Sequence, residues 1–205
     1  KFAGQFRQAG HVIVDSAGEA DVVVVNTCTV TSQAASDSRQ KIRQAARAGD
    51  AEIVVTGCWS TLEPQAASML PGVRRVVANP QKDALVSAVL NLPEAVFDLE
   101  PLAREPLPGL HMRTRAFLKV QDGCDNHCTF CITRIARGEG RSTPIQQIVA
   151  EVIAAQQGGV NEVVLSGVHL GSWGSDFDRP LHLSHLISAI LKETDIPRLR
   201  LSSLE

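Results

Sequence analysis

FLKVQDGCDNHCTFC, residues 117–131, decides how the second half of this chain folds. Its opening residues complete an apolar-rich run, RAFLKVQ, that reads as a strand, and cysteines 124, 128 and 131 follow at once on the loop that leaves it. Beyond them come a helix expected over about 144–157, a strand NEVVLSG, a glycine-rich loop, a helix over about 181–192 and a strand RLRLSS. Strand, loop and helix repeated at this spacing predict the first part of a parallel β/α barrel, with functional loops after each strand.

Upstream, the same alternation is visible in a different domain. HVIV at 11–14, DVVVVN at 21–26, EIVVTG at 52–57 and RRVVA at 74–78 read as strands, with helices expected at 32–48, about 62–70 and about 81–90. Short β-branched runs separated by helices predict parallel strands buried on both faces, an α/β domain. NLPEAVFDLEPLAREPLPGLHM, residues 91–112, holds four prolines and one glycine without a helical or strand period, which reads as a linker. The expected organisation is an α/β domain over 1–91, a linker over 92–112 and a second domain over 113–205.

With 205 residues, 44% hydrophobic and 20% charged, the chain has material for two modest cores and is not a disordered tail. No apolar run approaches the roughly 18 residues that cross a membrane, and KFAGQFRQAGHVIV is not a basic stretch leading into an apolar signal core, so a cytoplasmic protein is expected. A formal charge of -2 argues against a dedicated nucleic-acid-binding domain and leaves any RNA contact to local arginine clusters. Five cysteines, an odd number with three crowded together, fit ligands in a reducing compartment better than a disulfide framework. Lys1 is not a start methionine and RLRLSSLE stops like an unfinished strand, so a longer protein is expected.

Three thiolates on one loop suit three irons of a 4Fe-4S cluster, leaving the fourth iron open to bind a small molecule, which implies catalysis rather than electron storage. A structural zinc site would need a fourth ligand, for which His127 is the local donor. It directly precedes Cys128, however, and points elsewhere if Cys124 and Cys128 hold the same ion.

The CxxxCxxC loop after a first strand, with Phe130 directly before the last cysteine, resembles the radical S-adenosylmethionine (SAM) superfamily. FLKVQDGCDNHCTFCITRIARGEGRSTP, EVVLSGVHLGSWG and RLRLSSLE together are similar to its methylthiotransferase branch, whose members modify tRNA or a ribosomal protein. The resemblance implies that the open iron chelates the amino and carboxylate groups of SAM and that an electron passed to the sulfonium generates a 5′-deoxyadenosyl radical. It also implies that Phe130 lies against the adenine, that Ser166 and Gly167 meet the SAM amino group, and that Ser202 and Glu205 face SAM or substrate. Taken alone, Phe130 reads as a packing side chain, Gly167 as a turn residue, and Ser202 and Glu205 as an exposed strand end.

Cys28 in DVVVVNTCTVTS and Cys58 in EIVVTGCWS each follow a strand pattern, so a parallel sheet sets both at one carboxyl edge, where ligands bind. By themselves they read more readily as core cysteines. The resemblance instead implies an auxiliary 4Fe-4S cluster held by three cysteine segments, of which NTCTVT and TGCW are the second and third and the first is not in this sequence. It further implies a sulfur donor and an electron donor as partners. Asn26 and Thr27 would then neighbour the cluster or substrate, although a polar strand end satisfying backbone groups explains them equally.

Arg134, Arg137 and Arg141 in ITRIARGEGRS can grip phosphates bidentately or simply pair with Glu139, whereas Arg39, Lys41, Arg43 and Arg47 read as the solvent face of the long helix. GVHLGSWG and NTCTVT are most similar to the branch that converts threonylcarbamoyladenosine, beside the tRNA anticodon, to its 2-methylthio derivative. His169 then becomes a substrate or SAM neighbour, against the ordinary reading of a structural histidine. Isopentenyladenosine of tRNA and a ribosomal protein side chain are the alternative acceptors, and a non-catalytic metal-binding, RNA-associated module is the alternative from another class. Members of the family continue past the position of Glu205 through the rest of the barrel into a small RNA-binding β domain.

Overall fold

A computed structural model describes residues 2–93, 115–202 and 204. The chain divides into two compact units, one of residues 1–99 with 135–137 and the other of residues 100–134 with 138–205. In the first, α1 (Phe2–Gln8), β1 (Val22–Thr27), α2 (Ser32–Ala48), β2 (Glu52–Gly57), α3 (Cys58–Leu62), α4 (Pro64–Ser68), β3 (Val73–Val77) and α5 (Leu85–Leu90) follow in order.

The first sheet is parallel in the order β1-β2-β3. Successive strand residues face opposite sides. Ile53 and Val55 accordingly join Val25, Ile42, Ala45, Trp59 and Ala67 on one face, and Val54 joins Phe6, Val77, Leu85 and Val86 on the other. Ile53, Val54 and Val55 are all fully buried, each burial worth about 1.5–3 kcal/mol. The Thr31 hydroxyl caps α2 by accepting the Ala34 N–H at 3.0 Å, and that helix turns Ile42 and Ala45 onto the sheet.

Three expectations change. HVIV forms no strand: the His11 N–H bonds back to the Phe6 carbonyl at 2.9 Å, Val12 is 85% exposed, and only Ile13 reaches the Phe6 cluster. A β-branched run is stiff wherever it lies, but it becomes a strand only against a neighbouring edge. The helix expected over 62–70 is the shorter α4, Pro64–Ser68, with a separate α3 ahead of it, because Glu63 leaves helical geometry (φ -125°, ψ 60°) and Pro64, which lacks an N–H, starts the next turn. The helix expected from 81 begins instead as a 3-10 turn, Asn79–Ala84, ahead of α5. Of the expected linker over 92–112, residues 94–112 lie outside the described residues.

The second half of the chain carries β4 (Arg115–Lys119), β5 (Gln121–Asp122), α6 (Thr133–Arg137), β6 (Arg141–Ser142), α7 (Ile145–Gln157), β7 (Glu162–Ser166), α8 (Leu183–Glu193) and β8 (Arg198–Leu201). β4-β7-β8 form a parallel sheet, and β5 and β6 form a two-residue antiparallel ribbon. Ala116, Leu118, Val163 and Leu165 bury one face of the sheet against Ile148 and Val152 of α7, Leu186 and Ile190 of α8, and Trp173. Among the described residues this sheet is open, the first three β/α steps of a barrel without its closure.

The opposite face, which also holds Phe117 and Val164, is charged at its amino end. Register sets Arg115, Glu162 and Arg198 side by side at the amino ends of the strands. The Glu162 carboxylate accepts a hydrogen bond from Arg198 Nη1 at 3.1 Å, and its Oε1, which accepts none, lies 3.4 Å from Arg200 Nε and 3.7 Å from Arg115 Nε. The Arg198 hydrogen bond, with the charges of Arg200 and Arg115, holds the Glu162 carboxyl below its ordinary range against the opposing effect of burial.

Candidate iron-sulfur and SAM site

β4 delivers the chain to its carboxyl edge, where β5 ends one residue before Gly123. Gly123 has φ +72°, and a Cβ there would stand 1.8 Å from the Glu139 carbonyl oxygen, so only glycine permits this approach. The Cys124 N–H donates to the Gly138 carbonyl at 3.2 Å, and the Gly140 N–H donates to Asp125 Oδ1 at 3.0 Å. The Cys131 N–H bonds the Cys128 carbonyl at 3.2 Å, which turns the loop on itself. The start of the cysteine loop is thereby stitched to residues 138–140.

Cys124 is half-buried, and Cys128 and Cys131 are exposed, all as thiols. Among the described residues no three His, Cys, Asp or Glu side chains converge on a single cation. A cubane takes its thiolates at separate corners, so three accessible sulfurs on one short loop suit its donor set. Phe130 is 90% exposed. An aromatic ring left in water is apolar surface available to a flat ligand.

The loop after β7 lies beside this one. Ser166 Oγ donates to the Leu118 carbonyl at 3.1 Å, and the Val120 N–H takes the Ser166 carbonyl at 2.9 Å as a last rung between β4 and β7. Past that rung Gln121, 2% exposed, accepts the N–H groups of Val168 and His169 on its side-chain oxygen, each at 2.9 Å. His169 is half-buried, and its carbonyl accepts from Ser172 at 2.9 and 3.1 Å. Ser202 is half-buried just beyond β8, its N–H on the Leu165 carbonyl at 2.9 Å, while Glu205 lies outside the described residues. Gln121 is a site residue that the sequence does not single out; a polar residue between a strand and a cysteine loop is its only signal.

Arg134 and Arg137 lie one turn apart on α6, and Arg141 lies on β6, so two of the three are helical rather than in a loop.

In the first unit Cys28 directly follows β1, and Cys58, 8% exposed, opens α3 directly after β2. Both stand at the carboxyl edge of the parallel sheet. The Cys28 N–H donates to Ser38 Oγ at 3.1 Å. Thr27 is committed to structure, donating to the Thr56 carbonyl at 2.7 Å and accepting the Ser60 N–H at 3.1 Å. Asn26 is exposed and takes Lys82 Nζ on its side-chain oxygen at 2.7 Å. Trp59 and Asn79, just after β2 and β3, have a buried Nε1 and Nδ2 with no hydrogen-bond partner among the described residues. Two thiols at one sheet edge suit the donor set of an inorganic cluster, whose sulfurs accept hydrogen bonds from N–H groups such as these.

Three thiols on the loop leaving the first strand of a parallel β/α sheet define the class of the second unit, a radical SAM fold. The radical SAM superfamily matches residues 118–199, and the family described as uncharacterized protein family UPF0004 matches residues 1–78. Threonylcarbamoyladenosine tRNA methylthiotransferase MtaB of Bacillus subtilis (strain 168) is 34% identical over 98% of this chain and 47% of its own length. The protein of the same description from Aquifex aeolicus (strain VF5) is 36% identical over 98% of this chain and 51% of its own. Ribosomal protein uS12 methylthiotransferase RimO of Stutzerimonas stutzeri (strain A1501) is 32% identical over 84% and 40%. Among solved structures, the radical SAM methyltransferase TsrM of Kitasatospora setae with tryptophan and a SAM analog aligns at TM-score 0.60 and 18% identity, over 88% of this chain and 42% of that one. The chain belongs to the radical SAM methylthiotransferase family, and it spans about half the length of the curated relatives it matches.

Proposed function

We propose that this protein transfers a methylthio group to C2 of threonylcarbamoyladenosine next to a tRNA anticodon. The observation that carries the reading is the three-thiol loop of Cys124, Cys128 and Cys131, stitched at the carboxyl edge of a parallel sheet beside the loop after β7. Those cysteines hold the SAM-binding 4Fe-4S cluster, and Cys28 and Cys58 are two ligands of the auxiliary one. Bound there, the two clusters and SAM supply the electron, the methyl group and the sulfur chemistry of the reaction.

The chain's own residues bind and orient. Phe130 offers its exposed ring to the adenine. The Ser166 hydroxyl, already donating to the Leu118 carbonyl, keeps lone pairs for the SAM ammonium, with Gly167 as its neighbour in that role. Ser202, just after β8, faces SAM or substrate, and Glu205, three positions later in the sequence, takes part in the same contact. Arg134, Arg137 and Arg141 meet phosphates of the anticodon arm, a local basic cluster that needs no basic net charge. His169 and Asn26 are substrate neighbours. An electron donor and a sulfur donor complete the partners, and the cytoplasm is the expected place of work. The domain limits, 1–91 and 113–205 with a linker between, belong to the same proposal.

The relative described as a ribosomal protein methylthiotransferase supports a second acceptor, a protein side chain, on the same chemistry. The test is anaerobic reconstitution of the full-length protein with iron and sulfide, electron paramagnetic resonance with and without SAM, then mass analysis of tRNA nucleosides. The expected result is a SAM-shifted cluster signal and threonylcarbamoyladenosine gaining the mass of a methylthio group. A gain on isopentenyladenosine or on a ribosomal protein moves the acceptor, and a cluster blind to SAM overturns the reading.

A further inference from the structure

The parallel ladder between β4 and β7 ends at Lys119 and Ser166, and the backbone adds one more bond, Val120 N–H to the Ser166 carbonyl. Beyond that point one chain runs through the two-residue β5 into the cysteine loop and the other turns into the loop after β7. Farther along, Ser142 and Thr143 hold Trp173, Gly174 and Asp176, but where the two stretches leave the sheet one side chain bridges them. Gln121 is 2% exposed and uses its whole hydrogen-bonding capacity. Its oxygen accepts the N–H groups of Val168 and His169, both at 2.9 Å, and its nitrogen donates to the carbonyls of Gly123 at 2.9 Å and Asp122 at 3.2 Å. Gly167 closes on it, since a Cβ there would lie 3.1 Å from both the Gln121 Cβ and Oε1.

A buried amide with all four partners is costly to place and costly to disturb, because each partner loses its own bond with it. Asp122 and Gly123 carry the chain into Cys124, while Val168 and His169 belong to the loop of Gly167. We infer that Gln121 is a positioning residue that sets the spacing between the cysteine loop and the loop after β7, so that one SAM molecule meets both. The inference rests on the reading that Cys124, Cys128 and Cys131 hold a SAM-binding cluster. A ligand held at two points loses affinity when those points shift by a fraction of its length, whereas three cysteines on one loop keep their mutual spacing. Loss of Gln121 therefore separates iron binding from SAM binding.

The test uses the full-length holoenzyme with Gln121→Met, which keeps the volume and removes all four bonds. A second variant, Gln121→Glu, keeps the acceptor for Val168 and His169 but faces two carbonyls with a carboxylate. Iron per protein is counted, and SAM is titrated against the paramagnetic signal of the reduced cluster. The expected result is unchanged iron with SAM affinity weakened about tenfold or more, and with KM for SAM raised more than kcat is lowered. SAM affinity within twofold of the wild type in either folded variant overturns the inference, as does iron lost in parallel with SAM binding in both. A wild-type enzyme whose cluster ignores SAM overturns the underlying reading instead, so the two failures are distinguishable.

Discussion

Glu162 is the residue whose charge the second sheet is arranged around, and its replacement gives a pH-dependent result. Its carboxyl titrates below the ordinary range because Arg198 hydrogen-bonds the ionised form. A group depressed on folding stabilises the fold above its unfolded pKa and loses that contribution as pH falls through its folded pKa. Glu162→Gln should therefore lower Tm at neutral pH, and the gap to the wild type should close as pH falls below the normal carboxylate range. A gap that stays constant in acid would show that shape, not charge, holds the three arginines. At the cysteines the expectation is compositional: in the reconstituted full-length protein Cys128→Ala should remove about half the iron together with the SAM response. Cys58→Ala should remove a similar share and leave the SAM response in place.

At the scale of elements, the turn at Gly123 ties strand, cysteine loop and residues 138–140 together. Gly123→Ala drives a Cβ to within 1.8 Å of the Glu139 carbonyl oxygen and also strains a φ of +72°. The expected cost is about 1–3 kcal/mol in denaturant unfolding, with iron uptake reduced because Cys124 loses its anchor on Gly138. Much of this level is legible directly in the chain. Strands β1 and β2 stand out as β-branched runs, and α2 matches its expected 32–48 because Thr31 caps it and Gly49 ends it. HVIV misleads because periodicity reports stiffness and hydrophobicity, not whether an edge stands alongside. The helix expected over 62–70 starts only at Pro64, because Glu63 leaves helical geometry and proline, needing no N–H partner at a first helical position, opens α4. The thiols are legible from spacing, since local offsets survive folding. Gln121 is not, because its partners at 168 and 169 are 47 and 48 residues away and no local pattern encodes such a bond.

For the whole molecule, the composition of residues 92–112 predicts where a broad-specificity protease cuts first. Two resistant fragments meeting in that interval are expected on a gel with mass readout, and a first cut inside either sheet would move the domain limits. The open sheet of the second unit has one more effect. Among the described residues β8 is an edge, and edges carry unsatisfied backbone groups that invite another copy to join. Arg198 and Arg200, 65% and 56% exposed, line that strand with like charge. Two copies approaching edge to edge would bring four guanidinium groups together, which opposes that pairing. Light scattering should rise when both are changed to threonine, and salt should push the unaltered chain the same way, since screening removes the repulsion. The cluster around one carboxylate thus also sets the charge that strand β8 presents along its length.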